Sequence, residues 1–201
     1  MSHEARVGIT ITVAGPGLFF STIVYRSVHY HPKRAYMNHP SNTDVRRVAT
    51  RTGAVAIPAS LESDVAQYHY APARRAGDFV YLSGIVACNP TSEPMSEAAF
   101  CDELRIVFKQ IERLLSACDA QMEDVIELQM FHVFGSDRLD LDKAGQLAAI
   151  GRVRDEFFFA PYPAAVELEV ADLNPEGGLV EIKAVAFAPL TRTTANETAT
   201  P

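Results

Sequence analysis

A run of apolar residues between Phe100 and Cys118 limits most strongly how this chain can fold. Phe100, Leu104, Val107, Phe108, Ile111, Leu114, Leu115 and Cys118 recur in steps of three and four. That spacing predicts an amphipathic helix of about six turns with a single stripe to bury. Ser96 and Glu97 are suited to begin it, and polar Asp119 and Gln121 mark its exit.

A helix with one apolar stripe needs an apolar surface opposite, and the flanking sequence offers short β-type runs. Residues 54–58 (AVAIP) read as a strand that stops at proline. Residues 78–86 (DFVYLSGIV) follow the turn signal Ala76-Gly77 and read as a second strand. Residues 125–134 (VIELQMFHVF) read as a third. Residues 139–159 read as a second amphipathic helix, with Leu141, Ala144, Leu147, Ala148, Ile150 and Val153 on or near one face. In residues 165–170, Glu167 and Glu169 are expected outward and the apolar residues inward. Residues 179–187 (LVEIKAVAF) close the set after Gly177-Gly178. The order β-β-α-β-α-β-β predicts an α+β fold, two helices on one face of a mixed sheet. The other face, near Tyr81, Met130, Val166 and Val185, is expected to be buried between subunits.

Charge divides the chain. Residues 1–53 carry a net +5 and residues 54–201 a net −12, within a total of −7. An acidic domain makes nucleic acid an unlikely partner of the whole surface. Residues 1–53 show no sustained period beyond a short strand at 9–13, and residues 29–52 read as loop. The expected organisation is a poorly ordered basic extension over 1–53, one domain over 54–190 and a disordered tail over 191–201. No cofactor or metal is expected, since His29, His31 and His39 lack an element to fix them as ligands. Arg74 and Arg75 read as a solvated turn pair, and His132 as a satisfied core or surface histidine rather than a base. Three cysteines without a CxxC pair suit a reducing cytoplasm. Gly15-Pro16-Gly17 breaks the apolar residues near the start, so no membrane span or export signal is expected.

Four stretches together resemble the Rid/YjgF family of small trimeric proteins. Residues 76–84 (AGDFVYLSG) are similar to its "GD-x-hydrophobic-SG" strand, and Asp124-Val125-Ile126 with Met130-Phe131 to the strand after its first helix. Pro163-Ala164, followed by residues 168–173 (LEVADL), is similar to its "PAR…VEVA-x-L" element, and residues 179–186 (LVEIKAVA) to its closing "VEIEAIA" strand. The resemblance implies a chorismate-mutase-like α+β unit, a homotrimer, and a small-molecule cleft at each subunit boundary.

It also implies site residues. Glu181 falls at the catalytic glutamate of the family's deaminases, which positions water or moves a proton in enamine or imine hydrolysis. Tyr70, Ser83, Gly84 and Phe131 fall at substrate-binding positions. Ala165 falls where those deaminases place the arginine that grips a substrate carboxylate, and residues 163–166 contain no arginine. Ala71 and Asp172 also depart from the family wording. Three functions are therefore weighed: a deaminase-like hydrolase whose substrate is neutral, larger or held by another group; a non-catalytic binding trimer, favoured by Ala165; and an RNA-directed activity, disfavoured by the acidic domain.

Overall fold

The computed structural model describes residues 44–190. The expected strand at 9–13, the loop histidines and the tail from 191 lie outside the described residues. The strands are β1 (Val45–Thr50), β2 (Gly53–Pro58), β3 (Ala73–Ala76), β4 (Phe79–Leu82), β5 (Ile85–Cys88), β6 (Val125–His132), β7 (Ala164–Glu169) and β8 (Gly178–Phe187). The α-helices are α1 (Glu62–Tyr68), α2 (Glu97–Ala117) and α3 (Lys143–Arg154). The strands form one mixed sheet in the order β1-β2-β3-β4-β8-β6-β7, with β5 also paired to β8. Only β6 and β7 run parallel.

The long helix forms where its stripe predicts. Ser96 is extended, and its Oγ accepts the Ala99 N–H at 3.4 Å, satisfying one of the free amides of the first turn. Phe100, Leu104, Val107, Phe108, Ile111, Leu114 and Leu115 are all buried. They share one core with Val80, Leu82, Ile85 and Ala87 of β4 and β5, Leu128 and Met130 of β6, and Val180, Ile182, Ala184 and Ala186 of β8. Helix α3 adds Ala149, Ile150 and Val153 to that core. Both helices therefore cover the same face of the sheet, as an α+β layer requires.

Several elements differ from the sequence reading. Strand β1 lies within the segment read as loop. It pairs antiparallel with β2 from Val45↔Pro58 to Thr50↔Gly53, but most of its side chains are exposed, so it carries no apolar alternation to read. Helix α1 buries no residue and so shows no stripe. The second helix is shorter than residues 139–159, spanning Lys143–Arg154 behind the N-cap Asp142. Strand β7 is an edge strand, exposed along its whole length, rather than half-buried. Its register with β6 puts Ala165, Glu167 and Glu169 on the helix-bearing face and Val166 and Leu168 on the open face. Met130 is likewise corrected: it pairs with Ile182, lies on the helix-bearing face and is fully buried.

Arg75 is the largest departure. It is in strand β3 and only 1% exposed, not solvated in a turn. Its guanidinium donates to four carbonyls: Cys118 at 2.7 Å, Gly77 at 2.9 Å, Ala188 at 2.8 Å and Asp119 at 2.9 Å. Two of these acceptors follow the end of α2, where helical carbonyls lack partners. One side chain thus ties β3, the end of α2 and the segment after β8 together.

Candidate functional site

The open face can be read in cross-strand rows. Val55, Arg74, Tyr81, Val185 and Glu127 form one row, Lys183, Gln129 and Val166 a second, and Val86, Glu181, Phe131 and Leu168 a third. Phe79 lies against Phe187, with ring centres 5.2 Å apart, and near Tyr81 at 6.2 Å. In the isolated chain Tyr81 is 45% and Leu168 48% exposed. Aromatic and branched side chains thus lie open on this face of the single chain.

A bulge interrupts this face. From Tyr81 to Ile85 the chain advances four residues while the paired strand advances three, from Val185 to Ile182. The extra residue falls at Ser83-Gly84, so the single strand read over 78–86 is in fact β4 and β5. Bulges end regular pairing and re-aim side chains, commonly beside sites. Here the bulge makes room for Glu181. A Cβ on Gly84 would stand 1.6 Å from Glu181 Oε1, so the carboxyl group rests directly on the glycine backbone. Burial raises the Glu181 pKa above the ordinary glutamate value, and the Lys183 charge partly offsets it.

The neighbouring backbone is fixed by Ser83. Its Oγ donates to the Ala71 carbonyl at 2.8 Å, and its N–H to the Pro72 carbonyl at 3.0 Å. The chain that follows half-buried Tyr70 is thereby held beside the bulge. Phe131 is partly buried and pairs in register with Glu181. Ala165 is not among this group. Strand β6 separates β7 from β8, and residue 165 pairs with Leu128, on the face opposite Glu181. Within one chain no side chain at 165 stands beside Glu181. Arg74, in contrast, is exposed on the open face, while Arg75 is buried under β3 and unable to reach it.

His132 also departs from its sequence reading. It is fully buried on the helix-bearing face, and neither ring nitrogen has a hydrogen bond. The ring stacks on Phe134 at 5.0 Å, and Nε2 lies 3.6 Å from the Glu167 carboxylate. Burial lowers its pKa despite Glu167, so the imidazole is neutral near pH 7 and faces away from Glu181. A groove of about 510 Å³ between α2 and α3 is lined by Glu97, Ala98, Cys101, Asp102, Arg105 and Arg152. Its charges are paired internally, Arg152 with Glu97 and Arg105 with Asp102 and Glu156. Among the described residues no three His, Cys, Asp or Glu side chains are grouped to hold a metal, and no helix is long and apolar enough to cross a membrane.

A mixed sheet with helices on one face and a carboxyl group set in a bulge on the other defines the class of domain. The model of the family described as endoribonuclease L-PSP matches residues 61–188, and the chain belongs to this family, the Rid/YjgF group. It is 30% identical over 116 residues to the 2-iminobutanoate/2-iminopropanoate deaminase of Dermatophagoides farinae, covering 58% of this chain and 83% of that protein. It is 31% identical over 133 residues to the RutC family protein YjgH of Escherichia coli, covering 66% and 92%. The solved structure of protein YJGH superposes with a TM-score of 0.50 at 28% identity, over 63% of this chain and 89% of that one. A Mycobacterium tuberculosis member of the YjgF family, at 21% identity and a TM-score of 0.51 over 63% and 93%, has the same fold.

Proposed function

We propose that this protein hydrolyses a small imine or enamine to a carbonyl compound and ammonia, in a cleft formed where the open faces of three copies meet. The observation that carries the reading is the Glu181 carboxyl group seated on Gly84 in the bulge, beside Phe131 on a face with exposed aromatics. Ionised Glu181 takes a proton from water as the water oxygen bonds to the C=N carbon. The same proton then passes to nitrogen to give a carbinolamine; Glu181 next takes the hydroxyl proton and hands it to nitrogen, the C–N bond breaks, and ammonia leaves as the carbonyl forms. The atoms balance as imine plus water giving carbonyl plus ammonia, with no oxidant and no cofactor. Relatives named as deaminases of 2-iminobutanoate/2-iminopropanoate and of 3-aminoacrylate support this class of substrate. Three cysteines free of disulfides suit a reducing compartment, the cytoplasm.

Ammonia release from enzymatically generated 2-iminobutanoate tests the reading. Turnover above the uncatalysed rate supports it. A 2-oxo acid that binds while no ammonia is released favours the second reading, a non-catalytic binding trimer, for which Ala165 is the supporting observation.

Assembly is tested separately. Light scattering at micromolar concentration is expected to give three chains per particle. Tyr81→Asp, which places a charge among Phe79, Phe187 and Val185, is expected to give monomers. A monomeric parent contradicts the cleft. Ala165→Arg addresses the missing cation: residue 165 sits on an exposed edge strand, so only a neighbouring copy can bring it to Glu181. If assembly does so, the variant should bind 2-oxobutanoate about tenfold more tightly by calorimetry, the worth of one charge-assisted hydrogen bond. Unchanged affinity would place residue 165 outside the cleft.

A further inference from the structure

We propose that Lys183 is the cation that receives the substrate's carboxylate, so that the protein acts on short imino or enamino acids without the family's arginine; this rests on the hydrolase reading above. Lys183 lies two residues from Glu181 on the same strand and the same face, which sets the two backbone positions roughly 6.6 Å apart. It is partly buried, yet among the described residues it has no ion pair or hydrogen bond. Its cross-strand neighbour Gln129 donates instead to Glu127 at 2.7 Å. On its other side lies the bulge. There the regular ladder is broken between Tyr81 and Ile85, the Ser83 hydroxyl is committed to the Ala71 carbonyl, and Gly84 has no side chain. Lys183 and Glu181 are therefore neighbours on the open face, with Gly84 directly beside the Glu181 carboxyl group and Gln129 and Phe131 opposite them on β6. Where the family's closing strand reads VEIEAIA, this chain reads VEIKAVA, so the lysine replaces an acid beside the retained Glu181.

The chemistry follows from the pair. In a 2-imino acid the carboxylate and the C=N carbon are directly bonded, so a carboxylate on Lys183 Nζ presents that carbon toward Glu181. An ammonium group acts as a point charge rather than a planar fork, so it selects for the anion while fixing its orientation less strictly than a guanidinium does. Partial removal from water at a subunit boundary strengthens the attraction. The same charge lowers the Glu181 pKa against the upward push of burial, keeping more of the base ionised at neutral pH.

Calorimetry with 2-oxobutanoate and its neutral amide, on the intact assembled protein, tests the assignment. Lys183→Gln is expected to weaken binding of the acid about tenfold or more while leaving the amide within about twofold, and Lys183→Arg to restore the acid. In turnover, Lys183→Gln should raise KM more than it lowers kcat and move the acid limb of kcat/KM to higher pH, a shift that mere loosening of the strand does not produce. Equal weakening of acid and amide, an acid affinity untouched by Lys183→Gln, or no binding of the acid by the parent overturns the assignment. The hydrolase reading fails separately: Lys183-dependent binding of the acid without ammonia release removes catalysis and leaves the anion site, whereas ammonia release indifferent to Lys183→Gln does the reverse.

Discussion

Glu181→Gln is expected to lower kcat for ammonia release by a hundredfold or more, the usual worth of about 10²–10⁴ for a positioned general base. The amide keeps the shape of the side chain and its seat on Gly84 but cannot accept the proton from water. The loss should not come from unfolding. Burial raises the Glu181 pKa, so this group stabilises the fold most at low pH and the contribution is lost as pH rises through the raised value. Near neutrality the glutamine variant should therefore melt at or slightly above the parent temperature. The parent's kcat/KM should rise with pH along a limb displaced upward from the ordinary glutamate range, because only the ionised form works as the base. A variant that releases ammonia at more than about a tenth of the parent rate places the proton transfer on another group.

Arg75→Met is expected to cost on the order of 3–5 kcal/mol, since leaving a buried carbonyl without its donor costs about 1–3 kcal/mol. Four carbonyls, at Gly77, Cys118, Asp119 and Ala188, lose their donor at once, and methionine fills the space without replacing a single bond. At a fixed chain concentration this corresponds to a fall in Tm of roughly 10 °C or more for a domain of this size. Arg74→Met, one residue earlier and exposed on the open face, should shift Tm by only a degree or two at neutral pH. Comparable melting of the two variants would show that the Arg75 contacts are not worth their number.

These two arginines show what could be read in advance and what could not. Adjacent in sequence and identical in type, they differ only in which face of β3 they occupy. The acceptors of Arg75 arrive from segments up to 113 residues away, and no local pattern announces them. Helix α2 was legible because its stripe is long and unbroken by polar residues. Strand β1 was not, because Arg46, Arg47 and Val48 are all exposed and leave no alternation.

The bulge was legible in principle. The buried positions run Val80, Leu82, then Ile85, Ala87, a change of phase at Ser83-Gly84. The apolar outward residues Phe79, Tyr81 and Val86 concealed it by making residues 78–86 look uniformly buried. The same ambiguity put Met130 on the wrong face. In β7 the expectation that carboxylates face solvent reversed the strand's meaning. Glu167 lies within 3.4 Å of Arg154 and Glu169 within 2.7 Å of Lys143 on the helix-bearing side, while Val166 and Leu168 take the open face. The resemblance named Glu181, Gly84 and Phe131 by motif alone; that they adjoin one another, with Lys183 two residues from Glu181 on the same face, follows from the register of β5, β6 and β8.

A structure of the assembled protein with 2-oxobutanoate bound tests the central claim most directly. The account predicts the acid on the open face at a boundary between copies, its carboxylate at Lys183 Nζ and its carbonyl carbon toward Glu181 above Gly84. The acid lodged instead on the helix-bearing face, in the groove of Glu97 and Arg152, or an open face left in solvent around a monomer, would contradict it.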